Sequence, residues 1–179
     1  KLLMEEMIQF QEDLMDGFQT LIDLTEEDVA TDASLDKEVV FSLGKMTLVH
    51  YKPLVEASKI NKTPLMITYA LINRQNMLNL QDDRSVVKSL LEAGNDVYMI
   101  DWGYPTAEDK FMTMDDHINW YMDECVEYIR KATGAKKVNL MGICQGGTFS
   151  TIYTAIHQDK VNSLITLVTP IDFETNDAL

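Results

Sequence analysis

The sequence predicts an α/β fold, a mostly parallel sheet with helices on both faces. Two observations carry that prediction. From residue 39 onward, apolar strand-like runs alternate with amphipathic helix-like stretches, the pattern of parallel strands joined by crossover helices. Late in that series, Leu140-Met141-Gly142-Ile143-Cys144-Gln145-Gly146-Gly147 sets glycines on both sides of a cysteine, between a strand-like and a helix-like run. A sharp strand-to-helix turn needs small residues there and leaves its central side chain exposed at the tip.

Taken in order, residues 1–24 place Met4, Met7, Ile8, Leu14, Met15, Phe18, Leu21 and Ile22 on one helical stripe, with Glu5, Glu6, Glu12 and Asp13 mostly opposite. This helix is expected to dock on its own domain or on a partner subunit. Residues 25–37 are polar and acidic and read as a connector, so the expected division is 1–37 and 38–179. Strands are predicted at 39–43 and 46–51, a hairpin turning at Gly44. The apolar run 65–72 reads as a strand covered on both faces. A helix at 83–93 turns Val86, Val87, Leu90 and Leu91 inward and stops at Gly94. A short buried strand, 97–100, leads to Asp101-Trp102-Gly103. Thr113 is the predicted N-cap of the next helix, with Asp115 and Asp116 at its positive first turn. Its buried stripe is Ile118, Tyr121, Met122, Cys125, Ile129 and Ala132, and Gly134 ends it. Strand 138–143 enters the elbow, a helix runs to His157, and a last strand covers 161–168.

Composition bounds the function. At 179 residues the chain can bury a core. Its eleven methionines are most simply flexible core fillers. A formal net charge of −14 argues against nucleic acid and against an anionic membrane surface as partners. Only Cys125 and Cys144 are present, so no disulfide framework is readable and the cytosol is the expected compartment. No apolar run approaches the roughly 18–20 residues of a transmembrane helix, and no signal peptide is visible. The chain opens on Lys1 and closes on Asn176-Asp177-Ala178-Leu179 without an evident final element, and so reads as cut at both ends.

Cys144 is the candidate nucleophile, with Gly142 and Gly146 shaping its turn; the bland alternative is a small cysteine buried in a tight turn. Cys125, on the inward stripe of a helix, is read as structural. The developing oxyanion needs backbone donors: the Gln145 N–H, and one from the loop after the 65–72 run, where Asn73 in Ile72-Asn73-Arg74 is the candidate. Arg74 could attract phosphates, although a surface arginine is the simpler reading. An elbow of this α/β-hydrolase type takes its acid and then its histidine from later in the chain. His50 and His117 precede the elbow. His157 lies about 18 Å along the helix at ~1.5 Å per residue. All three are read as structural. Asp101 and Trp102, at the carboxyl end of a strand, are expected to organise the site's loops. No metal or cofactor is called for.

With these residues in hand, the chain resembles the catalytic subunit of polyhydroxyalkanoate synthases, especially the short forms that work with a second subunit. The matching blocks are Tyr69-Ala70-Leu71-Ile72-Asn73-Arg74, Leu80-Gln81-Asp82-Asp83-Arg84-Ser85 and Asp96-Val97-Tyr98-Met99-Ile100-Asp101-Trp102-Gly103-Tyr104-Pro105. Met141-Gly142-Ile143-Cys144-Gln145-Gly146-Gly147-Thr148-Phe149 and Val168-Thr169-Pro170-Ile171-Asp172-Phe173 continue them. The resemblance runs from residue 38 to 173 and is weak before 39. It implies an α/β-hydrolase fold whose C-terminal part lies outside this chain. It further implies (R)-3-hydroxyacyl-coenzyme A, typically 3-hydroxybutyryl, as substrate, and polyester and free coenzyme A as products. Cys144 matches the acylated nucleophile, and the family's later histidine and aspartate have no position here. The implied setting is cytoplasmic, at a polyester granule surface, with an accessory subunit and a homo-oligomer as partners. The isolated chain is expected to be inactive. Two rival readings stay open: a thioesterase or lipase-like hydrolase, and a non-catalytic granule-associated scaffold.

Overall fold

The computed structural model describes residues 2–23, 35–72 and 75–174. The chain divides into two compact units, Lys1–Asp32 and Ala33–Leu179. The first holds helix α1 (Leu2–Asp23), as the apolar stripe predicts. Met7, Leu14, Met15 and Phe18 on that stripe are exposed. Most of the expected connector, residues 25–34, lies outside the described residues.

In the second unit the chain forms β1 (Lys37–Leu43), β2 (Met46–Tyr51), β3 (Leu65–Thr68), the short strands β4 (Asn79–Gln81) and β5 (Arg84–Ser85), and α2 (Val86–Glu92). It continues with β6 (Val97–Asp101), α3 (Asp123–Thr133), β7 (Val138–Ile143), α4 (Gln145–Ile156) and β8 (Val161–Leu167). The main sheet has the order β1-β2-β6-β3-β7-β8. β2 pairs antiparallel with β1 and β6, while β6, β3, β7 and β8 run parallel. The predicted mostly parallel α/β sheet is what forms.

Side-chain alternation along the strands sends successive residues to opposite faces. Met66, Tyr98, Ile100 and Leu140 pack with Ile118, Met122, Cys125, Ile129, Phe149 and Tyr153 on one side. Leu65, Ile67, Val97, Met99 and Met141 pack with Val87 and Leu91 of α2 on the other. Both faces are covered, which is why these strands read as unbroken apolar runs. Among the described residues, Met46, Met66, Met99, Met122 and Met141 are buried in these cores.

Four local expectations need correction. β3 ends at Thr68, not at residue 72; beyond it the Tyr69 carbonyl accepts a hydrogen bond from the Trp102 indole instead of continuing the ladder. Ahead of α2 the chain makes the small β4–β5 hairpin, closed by a buried Ser85 Oγ–H to Asn79 Oδ1 bond of 2.6 Å, and Ser85 then caps α2 by accepting from the Lys88 N–H. Val86, at the first turn of α2, and Ala132, in the last turn of α3, are exposed. Finally, residues Asp116–Met122 form a π-helical stretch before α3. Apolar periodicity does not distinguish such a stretch from an α-helix over two turns. Its start is nonetheless the predicted one: Thr113 and Asp116 bond reciprocally, N–H to Oδ2 at 2.8 Å and N–H to Oγ1 at 3.2 Å. Gly134, at φ +72°, ends α3 as expected.

A charged cluster ties α3, α4 and the start of β8. Lys160 Nζ lies 2.6 Å from Asp123 Oδ1 and 3.0 Å from Glu127 Oε1, and the Tyr153 hydroxyl donates to Asp123 at 2.7 Å. Burial opposes ionisation of Asp123 and Glu127, yet hydrogen bonds and charge from Lys160 outweigh it and hold both below the usual carboxylate range. Burial likewise opposes the Lys160 charge, and the two carboxylates outweigh it and raise the ammonium pKa. The carboxylates therefore contribute stability above their ordinary values of 3.8 and 4.5, lost as pH falls through their lower folded values. The lysine contributes below its ordinary 10.5, and that share is lost as pH rises through its raised folded value. Lys160→Met is expected to cost about 2 kcal/mol near neutrality. Urea unfolding of both proteins across pH should show that difference shrinking at acid pH; a pH-independent difference would contradict the account.

Candidate active site

From β3 the chain passes to β6 on one side and later to β7 on the other. Strand order therefore reverses at β3, and the crevice outside the carboxyl ends of such strands is where open α/β sheets place their sites. Four carboxyl ends meet there: Thr68-Tyr69, Asp101-Trp102, Ile143-Cys144 and Leu167-Val168.

Cys144 sits at the tip of the β7–α4 turn with φ 54° and ψ −128°, and it is exposed. Residues other than glycine rarely hold such a conformation, and at active sites the surrounding structure enforces it. Here the Cys144 N–H donates to the Leu167 carbonyl at 2.9 Å, and its own carbonyl accepts from the Gly147 N–H at 2.9 Å. The glycines allow the turn to close. A Cβ on Gly142 would lie 2.6 Å from the Gly146 oxygen, and one on Gly146 would lie 2.6 Å from the Thr68 carbonyl carbon. Gly147 is as crowded, with a Cβ there 2.7 Å from Thr169 Cγ2. The turn is thus pressed against β3 on one side and the end of β8 on the other. Cys125, by contrast, is fully buried, and burial pushes its thiol pKa up.

Gln145 opens α4, so its backbone N–H is among those a helix start leaves unbonded, beside the sulfur. Asn73 and Arg74 lie outside the described residues. The part of their loop that is described is held from two directions. Gln145 Oε1 accepts from the Leu71 N–H at 3.1 Å, and Trp102 Nε1–H donates to the Tyr69 carbonyl at 2.9 Å. Asp101 Oδ1 accepts from the Gly103 N–H at 3.0 Å, shaping the turn after β6. Composition and spacing do not reveal the Gln145 side-chain bond to Leu71, because it joins residues 74 apart in sequence.

Each histidine has another partner. His50 Nε2 is 2.7 Å from Asp96 Oδ1 and stacks on Tyr98, at the amino ends of the parallel strands and so at the opposite edge from Cys144. His117 Nδ1–H donates to the Thr113 carbonyl at 2.7 Å and packs edge-on against Trp102. His157 Nε2 bonds Asn119 Oδ1 at 2.9 Å at the far end of α4. Among the described residues no group of three or more His, Cys, Asp or Glu could hold a metal.

The family model for the alpha/beta hydrolase fold matches residues 64–179. The chain belongs to the alpha/beta hydrolase fold family. Within it, the sequence is 48% identical over 177 residues to the poly(3-hydroxyalkanoate) polymerase subunit PhaC of Allochromatium vinosum, covering 99% of this chain and 49% of that protein. The PhaC subunit of Thiocystis violacea is 44% identical over 173 residues, 97% of this chain and 48% of that one. The chain spans about half the length of the curated relatives it matches. Among solved structures, the Francisella virulence factor BioJ aligns with TM-score 0.61 at 19% identity, over 79% of this chain and 46% of that one. A putative lipase from Acinetobacter baumannii aligns with TM-score 0.55 at 14% identity, over 79% and 44%. These structural likenesses show the fold of the hydrolase family and no more.

Proposed function

We propose that this chain carries the nucleophile-bearing portion of a polyhydroxyalkanoate synthase, with residues 38–179 forming the N-terminal part of its catalytic domain and residues 1–37 a helix and connector. The observation that carries this reading is Cys144 held exposed at φ 54° on the elbow of a chain 48% identical to a poly(3-hydroxyalkanoate) polymerase subunit. The Cys144 sulfur attacks the thioester carbonyl of an (R)-3-hydroxyacyl-coenzyme A. The carbonyl oxygen becomes an oxyanion that the Gln145 N–H stabilises, and its collapse breaks the bond to the coenzyme sulfur and releases coenzyme A. In this acylation one thioester replaces another, so the acyl group stays activated. The hydroxyl of a further monomer or of the growing chain then attacks the acyl-enzyme carbonyl: the new ester bond forms, the carbon–sulfur bond to Cys144 breaks, and the hydroxyl proton passes to the departing sulfur, which restores the thiol. His50, His117 and His157 are each engaged elsewhere and are not proposed as the base.

An accessory subunit, a homo-oligomer and a polyester granule surface in the cytoplasm complete the proposal. Among the described residues no helix is long and apolar enough to cross a membrane. The test is product analysis of the full-length protein given 3-hydroxybutyryl-coenzyme A. Polymer with coenzyme A release is expected, whereas free hydroxy acid as the product would make the protein a hydrolase. The 179-residue chain alone is expected to release no coenzyme A.

A further inference from the structure

Gln145 is half-buried beside the nucleophile, and its carboxamide reaches across from α4 to the loop that follows β3, where Oε1 accepts from the Leu71 N–H at 3.1 Å. The neighbouring carbonyl of that loop, on Tyr69, is held by the buried Trp102 indole at 2.9 Å. Directly beneath, the Gly146 backbone packs so closely on Thr68 and Tyr69 that a Cβ would lie 2.6–2.8 Å from their carbonyl carbons. Three contacts from two different elements thus converge on three consecutive peptide units. In an elbow of this kind one oxyanion donor is the N–H after the nucleophile and the other comes from the loop after the third strand. These donors work only when fixed relative to each other, because displacements on the order of 1 Å cost about 100-fold in rate. Gln145 is the residue that links them. Its backbone supplies the first donor, and its side chain grips the loop that supplies the second.

We propose that the Gln145 carboxamide is a positioning residue for acyl transfer at Cys144, clamping the β3 loop through Leu71 so that the two halves of the oxyanion site keep a fixed separation. This rests on the acyl-transfer reading of Cys144. Leu71 N–H is committed to the clamp, so another amide of the loop serves the oxyanion. The partial exposure of Gln145 means that its side chain can be changed without opening the core.

The test compares Gln145→Met, of similar length without the acceptor oxygen, and Gln145→Glu, which keeps it, in the full-length protein. Hydrogen exchange at the Leu71 amide is read first, since it needs no substrate. It should quicken in Q145M and stay slow in Q145E. With 3-hydroxybutyryl-coenzyme A, Q145M should lose about 10- to 100-fold in kcat with KM changed less than about threefold, because a misplaced oxyanion donor weakens the transition state more than substrate binding. Unchanged Leu71 exchange or unchanged kcat in Q145M would overturn the clamp. A faster Q145M would also overturn it, showing that the side chain blocks the Leu71 N–H instead of placing the loop. Failure of the wild-type protein to make polymer would sink the synthase reading, and the exchange measurement would still decide the clamp.

Discussion

Cys144→Ala in the full-length protein is expected to lower coenzyme A release from 3-hydroxybutyryl-coenzyme A by at least on the order of 10⁴-fold, the scale of losing a covalent nucleophile. The loss should come without loss of fold. Cys144 is exposed, its backbone bonds to Leu167 and Gly147 do not involve the sulfur, and alanine removes only one atom from a surface position. Cys144→Ser keeps a nucleophilic atom in place and is expected to retain a trace of activity above the alanine variant. Cys125→Ala is the matching control. That thiol is fully buried, with its sulfur 3.6 Å from Met46 Sδ, so its replacement should lower stability modestly while leaving the rate per folded molecule unchanged. Thermal unfolding and initial rates for the set separate the two roles. A Cys144→Ala protein with near wild-type turnover would remove this residue from the chemistry.

Gly146→Ala is expected to be the most damaging single-methyl addition in the domain, at about 3 kcal/mol or more. The added Cβ meets the carbonyl carbons of Thr68 and Tyr69 at 2.6 and 2.8 Å, and these are backbone atoms of a central strand and its exit, with no side chain to swing aside. To relieve the contact, α4 must move away from β3, carrying Cys144 and the Gln145 N–H with it. Activity should therefore fall further than the population of folded molecules. Gly134→Ala provides the contrast. Gly134 ends α3 at φ +72° with nothing within 4 Å of its would-be Cβ, so its cost is backbone strain alone, about 1 kcal/mol. Comparing the two by chemical denaturation tests whether close approach, not dihedral preference, fixes the elbow glycine. Equal costs would mean that the packing of α4 on β3 is looser than described.

Much of this was legible in the sequence because the signals are local or periodic. The strand entering the elbow, residues 138–143, is found at those bounds, since its run, apolar but for Asn139, is flanked by turn residues and largely buried. Gly44, Gly94 and Gly134 mark their turns because each holds a positive φ that glycine adopts without strain. The pairing of Thr113 with Asp116 follows from a three-residue spacing that any helix start can use. Less was legible where the deciding contact is remote. The 65–72 run is apolar enough for a longer strand, but the bonds of Tyr69 to Trp102 and Leu71 to Gln145 bend it into a loop, and neither partner is near it in sequence. The β4–β5 hairpin is not legible in the sequence because it turns through Asp82-Asp83 between strands of three and two residues, too short to show alternation. Cys144 itself is an intermediate case. Its flanking glycines announce a tight turn, whereas the reason those glycines are needed, the backbone of β3 and the end of β8 pressing on α4, appears only in three dimensions.

Acylation of the elbow cysteine is the centre of this account. Its most direct measurement is mass spectrometry of the full-length protein, quenched in acid within its first turnovers with 3-hydroxybutyryl-coenzyme A and digested for peptide mapping. The account predicts hydroxybutyryl units, one or more, in thioester linkage on the peptide bearing Cys144, sensitive to hydroxylamine and absent from Cys144→Ala. Turnover with the acyl group on another residue, or with the Cys144 peptide unmodified throughout, would contradict it.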